Sequence, residues 1–234
     1  RAYEAGKRAE NDAFWDRYQD YGNRTAYSIY EGAFAGVYWT DDIFKPKYPI
    51  VPTTAYMMFR LTGITDLTKE GVILDFSNCV NMHTAFAYLR HPIKLPVIDM
   101  SSATTCTNCF SDCQNTELSL IMSEKTVLDN NTFSGCSKLV NLMIGGVLAC
   151  SVNLRLSTKL NKTSIESVIA ALSTTTTGLT ATFSIAAVNK AFATAEGAAD
   201  GSTRHVDLGI FTQIDHTCLL SEDVCTAERY CSCA

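Results

Sequence analysis

Ten cysteines, at positions 79, 106, 109, 113, 136, 150, 218, 225, 231 and 233, hold most of the reactive chemistry of this 234-residue chain. A thiolate binds metal and attacks electrophiles, and an even count in a secreted chain suggests disulfides. Cys106-Thr-Asn-Cys109 is a C-x-x-C pair with Cys113 four residues on, and Cys79 or Cys136 could complete a set of four. Structural zinc wants two such paired knuckles at turns, and the second pair is missing here. A redox C-x-x-C belongs at a helix start beside a βαβ unit, and that context is absent. Cys218, Cys225, Cys231 and Cys233 with His216 form a second candidate metal group, at irregular spacing. The six cysteines between positions 79 and 150 lie in a region of repeating apolar texture, where a small thiol is an ordinary core residue. Core thiols, disulfides and metal ligands all stay open for these six, in that order of preference.

Little else points to catalysis. There is no G-x-S-x-G, H-E-x-x-H or phosphate loop, so no cofactor is expected. Any of ten cysteines could be paired with any of four histidines, so such a pair carries no information. His83 and His91 fall inside repeat units as structural or solvated side chains. The N-x-T sites at Asn23, Asn130 and Asn161 mark surface loops at most. The net charge of −5 and pI near 5.4 argue against nucleic acid, which needs a basic face. No run of about 18 apolar residues exists to span a membrane. The 47% hydrophobic and 18% charged composition predicts a folded chain. The chain starts at Arg1 with no signal-peptide pattern, and reads as a fragment or as a chain that has lost an upstream part.

Around these residues the elements follow in order. Residues 1–22 are predicted to be an N-terminal helix, with Phe14, Trp15 and Tyr18 as an aromatic stripe and Gly22-Asn23 as the stop. Residues 23–58 form an aromatic-rich cap holding Phe34, Tyr38, Trp39, Phe44, Tyr48 and Tyr56, kept extended by Pro46, Pro49 and Pro52. Its aromatics fit a buried cap better than a carbohydrate-stacking platform, because large rings usually supply core area.

The middle of the chain repeats. TAYMMFRLTGITDL, MHTAFAYLRHPIKL, TNCFSDCQNTELSL and NNTFSGCSKLVNLMI align on Phe59, Phe86, Phe110 and Phe133, spaced 27, 24 and 23 residues apart. Thr62, Leu89, Cys113 and Cys136 stand three residues after each phenylalanine. A short apolar strand follows each, centred on Leu74-Asp75-Phe76, Ile98-Asp99-Met100, Leu120-Ile121-Met122 and Leu142-Met143-Ile144. One such unit cannot bury its own apolar face, so the units must stack as coils of a solenoid over residues 59–156. The Cys at the fourth position suits a slot that a larger side chain would overfill.

Residues 157–197 are predicted to be a βα C-terminal cap. Asn153 to Leu156 is the last strand before it. Thr163 as N-cap and Glu166 three residues on form a capping box. Ile165, Val168, Ile169 and Leu172 then make an amphipathic face. Leu179 to Phe183 alternate as a strand, and Ser184 opens a second helix that stops near Gly197. Residues 198–234, a Cys-rich tail with weak periodicity, are predicted to be poorly ordered, with few buried contacts depending on them.

Phe133-Ser-Gly-Cys136-Ser-Lys-Leu139-Val-Asn-Leu142 resembles the F-x-x-C-x-x-L-x-x-I unit of BspA-type leucine-rich repeats of bacterial surface proteins, and Phe110-Ser-Asp-Cys113 resembles its first half. Phe59 and Phe86 keep the phenylalanine but put Thr62 and Leu89 where that family has cysteine. The stretches NDAFWDRYQDYGNRT, GVYWTDDIFKPKYPIVP and LRLSTKLNKTSIESVIAALSTTTTGLT are similar to modules of surface and phage tail-associated proteins of gut Firmicutes. The likeness covers roughly residues 10–195. It ends after AFATAEG, where relatives carry tryptophan and this chain has none; a frameshifted reading or a genuine variable tail would explain the departure. The resemblance implies adhesins, surface binders or tail-associated proteins rather than enzymes, at an extracellular surface or on a virion.

The expectation is therefore an α+β protein: a short leucine-rich-repeat solenoid with an N-terminal helix and aromatic cap and a βα C-terminal cap. Its expected function is non-enzymatic recognition of a protein or glycan ligand. The alternative is a structural spacer or assembly domain of a larger surface or tail complex. Strand alternation puts Leu74, Ile98, Leu120 and Leu142 inside, so the candidate ligand-binding residues are their outward neighbours Asp75, Asp99, Ile121 and Met143, together with Arg155. They are expected to form one continuous ladder running from acidic through apolar to basic.

Overall fold

Phenylalanines about one repeat apart lie one above another in the computed structural model. It describes residues 6, 9–10, 13, 31–36, 44–46, 49–192, 216–221 and 224–229. Phe59 stacks on Phe86 with ring centroids 5.5 Å apart, Phe86 on Phe110 at 5.5 Å and Phe110 on Phe133 at 5.6 Å, with interplanar angles of 10°, 5° and 4°. Rungs of a parallel stack repeat at about 4.8 Å, so the larger centroid spacing means offset rings, the arrangement their quadrupoles prefer. A fifth ring precedes the four of the sequence repeat: Phe34 stacks on Phe59 at 5.1 Å and 22°. Phe44 closes that end edge-on, 5.1 Å from Phe34 and 6.4 Å from Phe59. All six rings are buried.

The backbone around each phenylalanine explains the stack. Residues two before and two after the ring take positive φ: Met57 and Leu61, Thr84 and Tyr88, Asn108 and Asp112, with Gly32 and Gly36 in the first rung. Left-handed conformations cost a non-glycine residue about 1–2 kcal/mol. Parallel hydrogen bonds between rungs offset that cost. The phenylalanine N–H donates to the carbonyl just before the next phenylalanine: Phe34 to Met58, Phe59 to Ala85, Phe86 to Cys109 and Phe110 to Thr132, at 2.8, 2.8, 2.8 and 2.9 Å. The residue two further on does the same, Gly36 to Arg60, Leu61 to Ala87, Tyr88 to Ser111 and Asp112 to Ser134. Every one of these donors points toward the following rung. Thr62, Leu89, Cys113 and Cys136 are buried at the predicted fourth position.

Opposite the stack runs a parallel sheet of β1 (Ile98–Asp99), β2 (Glu117–Met122) and β3 (Asn141–Gly146), in the order β1-β2-β3. Its burial alternates, with Leu118, Leu120 and Met122 inside and Glu117, Ser119 and Ile121 outside. Leu74, expected in a strand, makes a single parallel bridge to Ile50. The β2–β3 register pairs Leu118 with Leu142, Leu120 with Ile144 and Ile121 with Gly145. Gly146 is required at the end of β3: φ is +83°, and an added Cβ would stand 2.1 Å from the Met122 carbonyl oxygen.

The open edge of β3 is closed by α1 (Lys162–Ala171). Leu142 N–H donates to Ser164 Oγ at 2.8 Å and Ile144 N–H to Ser167 Oγ at 2.9 Å. Two hydroxyls three residues apart on one helix face thus take the strand's free donors. The predicted capping box is corrected here. The N-cap is Asn161, whose Oδ1 accepts from Ser164 N–H at 2.9 Å, while its amide donates to Asn141 Oδ1. Thr163 is exposed, and Glu166 pairs with Lys162 at 3.9 Å. The tie to β3 chooses the cap: only Asn161 reaches both the helix and the strand.

A second sheet, order β4-β5-β7-β6, contains β4 (Val152–Leu154), β5 (Thr180–Ser184), β6 (His216–Ser221) and β7 (Val224–Arg229), and α2 (Ile185–Phe192) follows β5. β4 and β5 run parallel; β7 pairs antiparallel with β5 and with β6. Two segments of the tail predicted to be poorly ordered are therefore strands. The rest of that tail, most of the N-terminal helix with Phe14, Trp15 and Tyr18, and Tyr38, Trp39 and Tyr48 of the cap lie outside the described residues. Gly6, Ala9, Glu10 and Ala13 are helical. The described residues make a mixed α and β structure with small parallel sheets around a buried aromatic stack.

Candidate functional site

The outward face of the β1-β2-β3 sheet is where the predicted ligand residues meet solvent, and the register divides them. Asp99 stands beside Ile121, but Ile121 stands beside Gly145 and Met143 beside Ser119. The predicted single ladder is thus two columns. A shift of two residues keeps every inward side chain inward, so alternation alone could not set the register. Arg155 lies just past the end of β4, in a different sheet. Asp75 and Asp99 have the same local job: each Oδ1 accepts the N–H two residues on, from Ser77 and Ser101, at 2.9 Å. These bonds hold a tight turn after each strand. Hydrogen bonds from the Ser77 side chain and backbone hold the exposed Asp75 carboxyl below its ordinary range.

Two exposed apolar residues near this face, Ile73 and Val97, were not among the predicted ligand residues. Each inward residue has two outward neighbours, and the one before it is apolar in three of the repeats: Ile73 and Val97 are 55% and 57% exposed, Met143 45%, and Ile121 on the adjoining column 40%. The signal was in the sequence, in the residue preceding each inward position. Beyond Met143 the face runs into an open groove of about 410 Å³ between β3 and α1, lined by Met143, Ile144, Gly146, Thr163, Glu166, Ser167, Ala170 and Ala171.

Among the described residues the cysteines do not assemble a centre; the side chains of the second candidate group, Cys218, Cys225, Cys231, Cys233 and His216, lie outside the described ones. Cys79, Cys106, Cys109, Cys113 and Cys136 are buried and Cys150 half-buried, all as free thiols. Burial pushes the thiols up, to about 11 at Cys79 and about 12 at Cys106 and Cys113. Cys136 Sγ donates to the Phe110 carbonyl at 3.0 Å and Cys150 Sγ to that of Thr126 at 3.3 Å, so each ties its segment to one about a repeat earlier. Such thiols are poor nucleophiles at neutral pH. Among the described residues, no group of three or more His, Cys, Asp or Glu side chains could hold a metal ion. His83 stacks on Tyr56 with centroids 5.1 Å apart, and His91 Nδ1 lies 3.3 Å from the Pro92 carbonyl oxygen. No described helix is long and apolar enough to cross a membrane.

No family model, no curated protein and no solved structure matches the chain. The outward face has to be interpreted from its own chemistry.

Proposed function

We propose that this chain is a BspA-type leucine-rich-repeat solenoid acting as a non-enzymatic recognition module at a bacterial or virion surface, with the outward sheet face binding a protein or glycan ligand. Five stacked phenylalanines and the one-way hydrogen bonds between their rungs support the solenoid reading. The observation that carries the binding reading is the run of Ile73, Val97, Ile121 and Met143, each at least 40% exposed, bordered by Asp75 and Asp99. Scattered exposed apolar residues are normal, but Ile121 and Met143 on the outward face of the β1-β2-β3 sheet, with Val97 just before β1, suit a partner that covers them. The two carboxylates would set orientation through complementary charge.

The test is Val97→Ser combined with Ile121→Ser, assayed for binding to intact bacterial cells and to a glycan array. Lost binding at an unchanged melting temperature is expected. Binding equal to the parent rejects this face. In the structural alternative the same face packs against other chains of an assembly. In that case the double variant changes the oligomeric mass read by light scattering and leaves cell and glycan binding as it was.

A further inference from the structure

The aromatic stack has an unfinished end. Four times along the stack, a phenylalanine N–H and the N–H two residues later donate to carbonyls of the following rung. At the last rung, Phe133 and Gly135 occupy those two places, and among the described residues neither N–H has an acceptor. A sixth rung would fall near Leu156, given the 23-residue step from Phe110 to Phe133. The chain does pass there, but Leu156 is exposed and accepts from neither donor. Instead a cleft of about 170 Å³ opens, lined by Asn130, Asn131, Phe133, Ser134, Asn153, Arg155 and Leu156.

The residues lining this cleft carry one charge and several neutral polar groups. Arg155 brings the only charge in the lining, and it is positive. Asn153 Oδ1 already accepts Arg155 N–H at 3.2 Å, which leaves its amide nitrogen as the end to offer. Asn130, Asn131 and Ser134 add neutral donors. Asp129 is engaged locally: its Oδ1 accepts from Asn131 N–H at 3.2 Å and from the Thr132 hydroxyl at 2.8 Å. The Asp112 carboxylate packs against Gly135, where an added Cβ would stand 2.1 Å from its Oδ1, and Gly135 does not line the cleft, so Phe133 is the main-chain donor there. A main-chain N–H left unpaired beside a guanidinium and side-chain amides favours a negatively charged acceptor.

We propose that this cleft binds an oxyanion group, a carboxylate, sulfate or phosphate, through the Phe133 N–H and the Arg155 guanidinium. The site is separate from the outward sheet face and does not depend on that face being a ligand surface. Its rigidity comes from the stack, since the main-chain donor belongs to the rung that buries Phe133.

The test follows the Phe133 amide resonance directly. ¹⁵N-labelled full-length chain is titrated with sodium acetate, sodium sulfate and sodium phosphate, with sodium chloride at matched ionic strength as control. A saturable shift of the Phe133 amide with at least one oxyanion, absent with chloride, is expected. The acetate arm separates a carboxylate site from one for tetrahedral anions. Arg155→Gln should weaken the binding about tenfold, the scale of a lost charge-assisted pair, with an unchanged melting temperature. Arg155→Lys should fall between the two. A Phe133 amide that stays still, that moves equally with chloride, or that responds equally in the Arg155→Gln variant overturns the proposal.

Discussion

Buried phenylalanines contribute twice to this fold, through the area they remove from water and through the offset stack they make with each other. Phe86 sits at the centre, between Phe59 and Phe110. Phe86→Ala should cost about 3–5 kcal/mol, the usual loss for a buried aromatic, and appear as a lower midpoint in urea unfolding. Phe86→Leu should cost about half as much or less, because most of the apolar volume remains. The thiols make a pH prediction. Burial holds the folded Cys106 and Cys113 thiols at about 12, against 9.0 for a free thiol. The unfolded chain therefore loses these protons first as pH rises. Their contribution to stability is complete below about pH 9 and falls progressively up to pH 12. Melting temperatures from pH 8 to 11 should decline, and Cys113→Ala should shallow the decline while lowering the plateau. A flat profile would mean that Cys113 is exposed to water.

At the scale of elements, what decides local structure is often a partner far along the chain. Asn161 caps α1 because its amide also grips Asn141 on β3. Asn161→Ala should cost about 1–2 kcal/mol, while Thr163→Ala should stay within about 0.5 kcal/mol, by chemical denaturation of both variants. Equal losses at the two positions would return the cap to Thr163. Gly146 and Gly178 allow a paired test of close approach. Both have positive φ, +83° and +72°, but an added Cβ meets the Met122 carbonyl at Gly146 and nothing within 4 Å at Gly178. Gly178→Ala should cost only the left-handed strain, about 1–2 kcal/mol, and Gly146→Ala distinctly more, read as a larger fall in melting temperature.

For the whole molecule, the tail is where the expectation from sequence and the structure part most. β7 pairs with β5 through five residues, from Thr180 with Glu228 to Ser184 with Val224. Truncation after Phe192 leaves that edge of β5 unpaired. The truncated chain should melt at a lower temperature and scatter more light on heating, as an open strand edge invites pairing with other chains. An unchanged transition would show that the β6–β7 hairpin adds nothing to the fold. The two candidate binding regions differ in kind as well as place. The outward sheet face is apolar with two acids, whereas the cleft at the end of the stack carries a lone arginine among amides.

The sequence by itself determined the repeat, its phase on Phe59, Phe86, Phe110 and Phe133, and the burial of the residue three positions later. These rest on periodicity, which is a local property of the chain. It also placed the inward column of the strands and the amphipathic face of α1. Three things waited for the tertiary structure. Phe34 joins the stack although its rung has Gly32 and Gly36 where the Phe59, Phe86 and Phe110 rungs have other residues, so the textual repeat fades where the stack does not. The β2–β3 register splits Ile121 from Met143, because strands offset by two residues bury the same side chains and only the turns fix the offset. The unpaired N–H groups of Phe133 and Gly135 exist only because no rung follows them, and that depends on where the chain turns away rather than on any residue nearby.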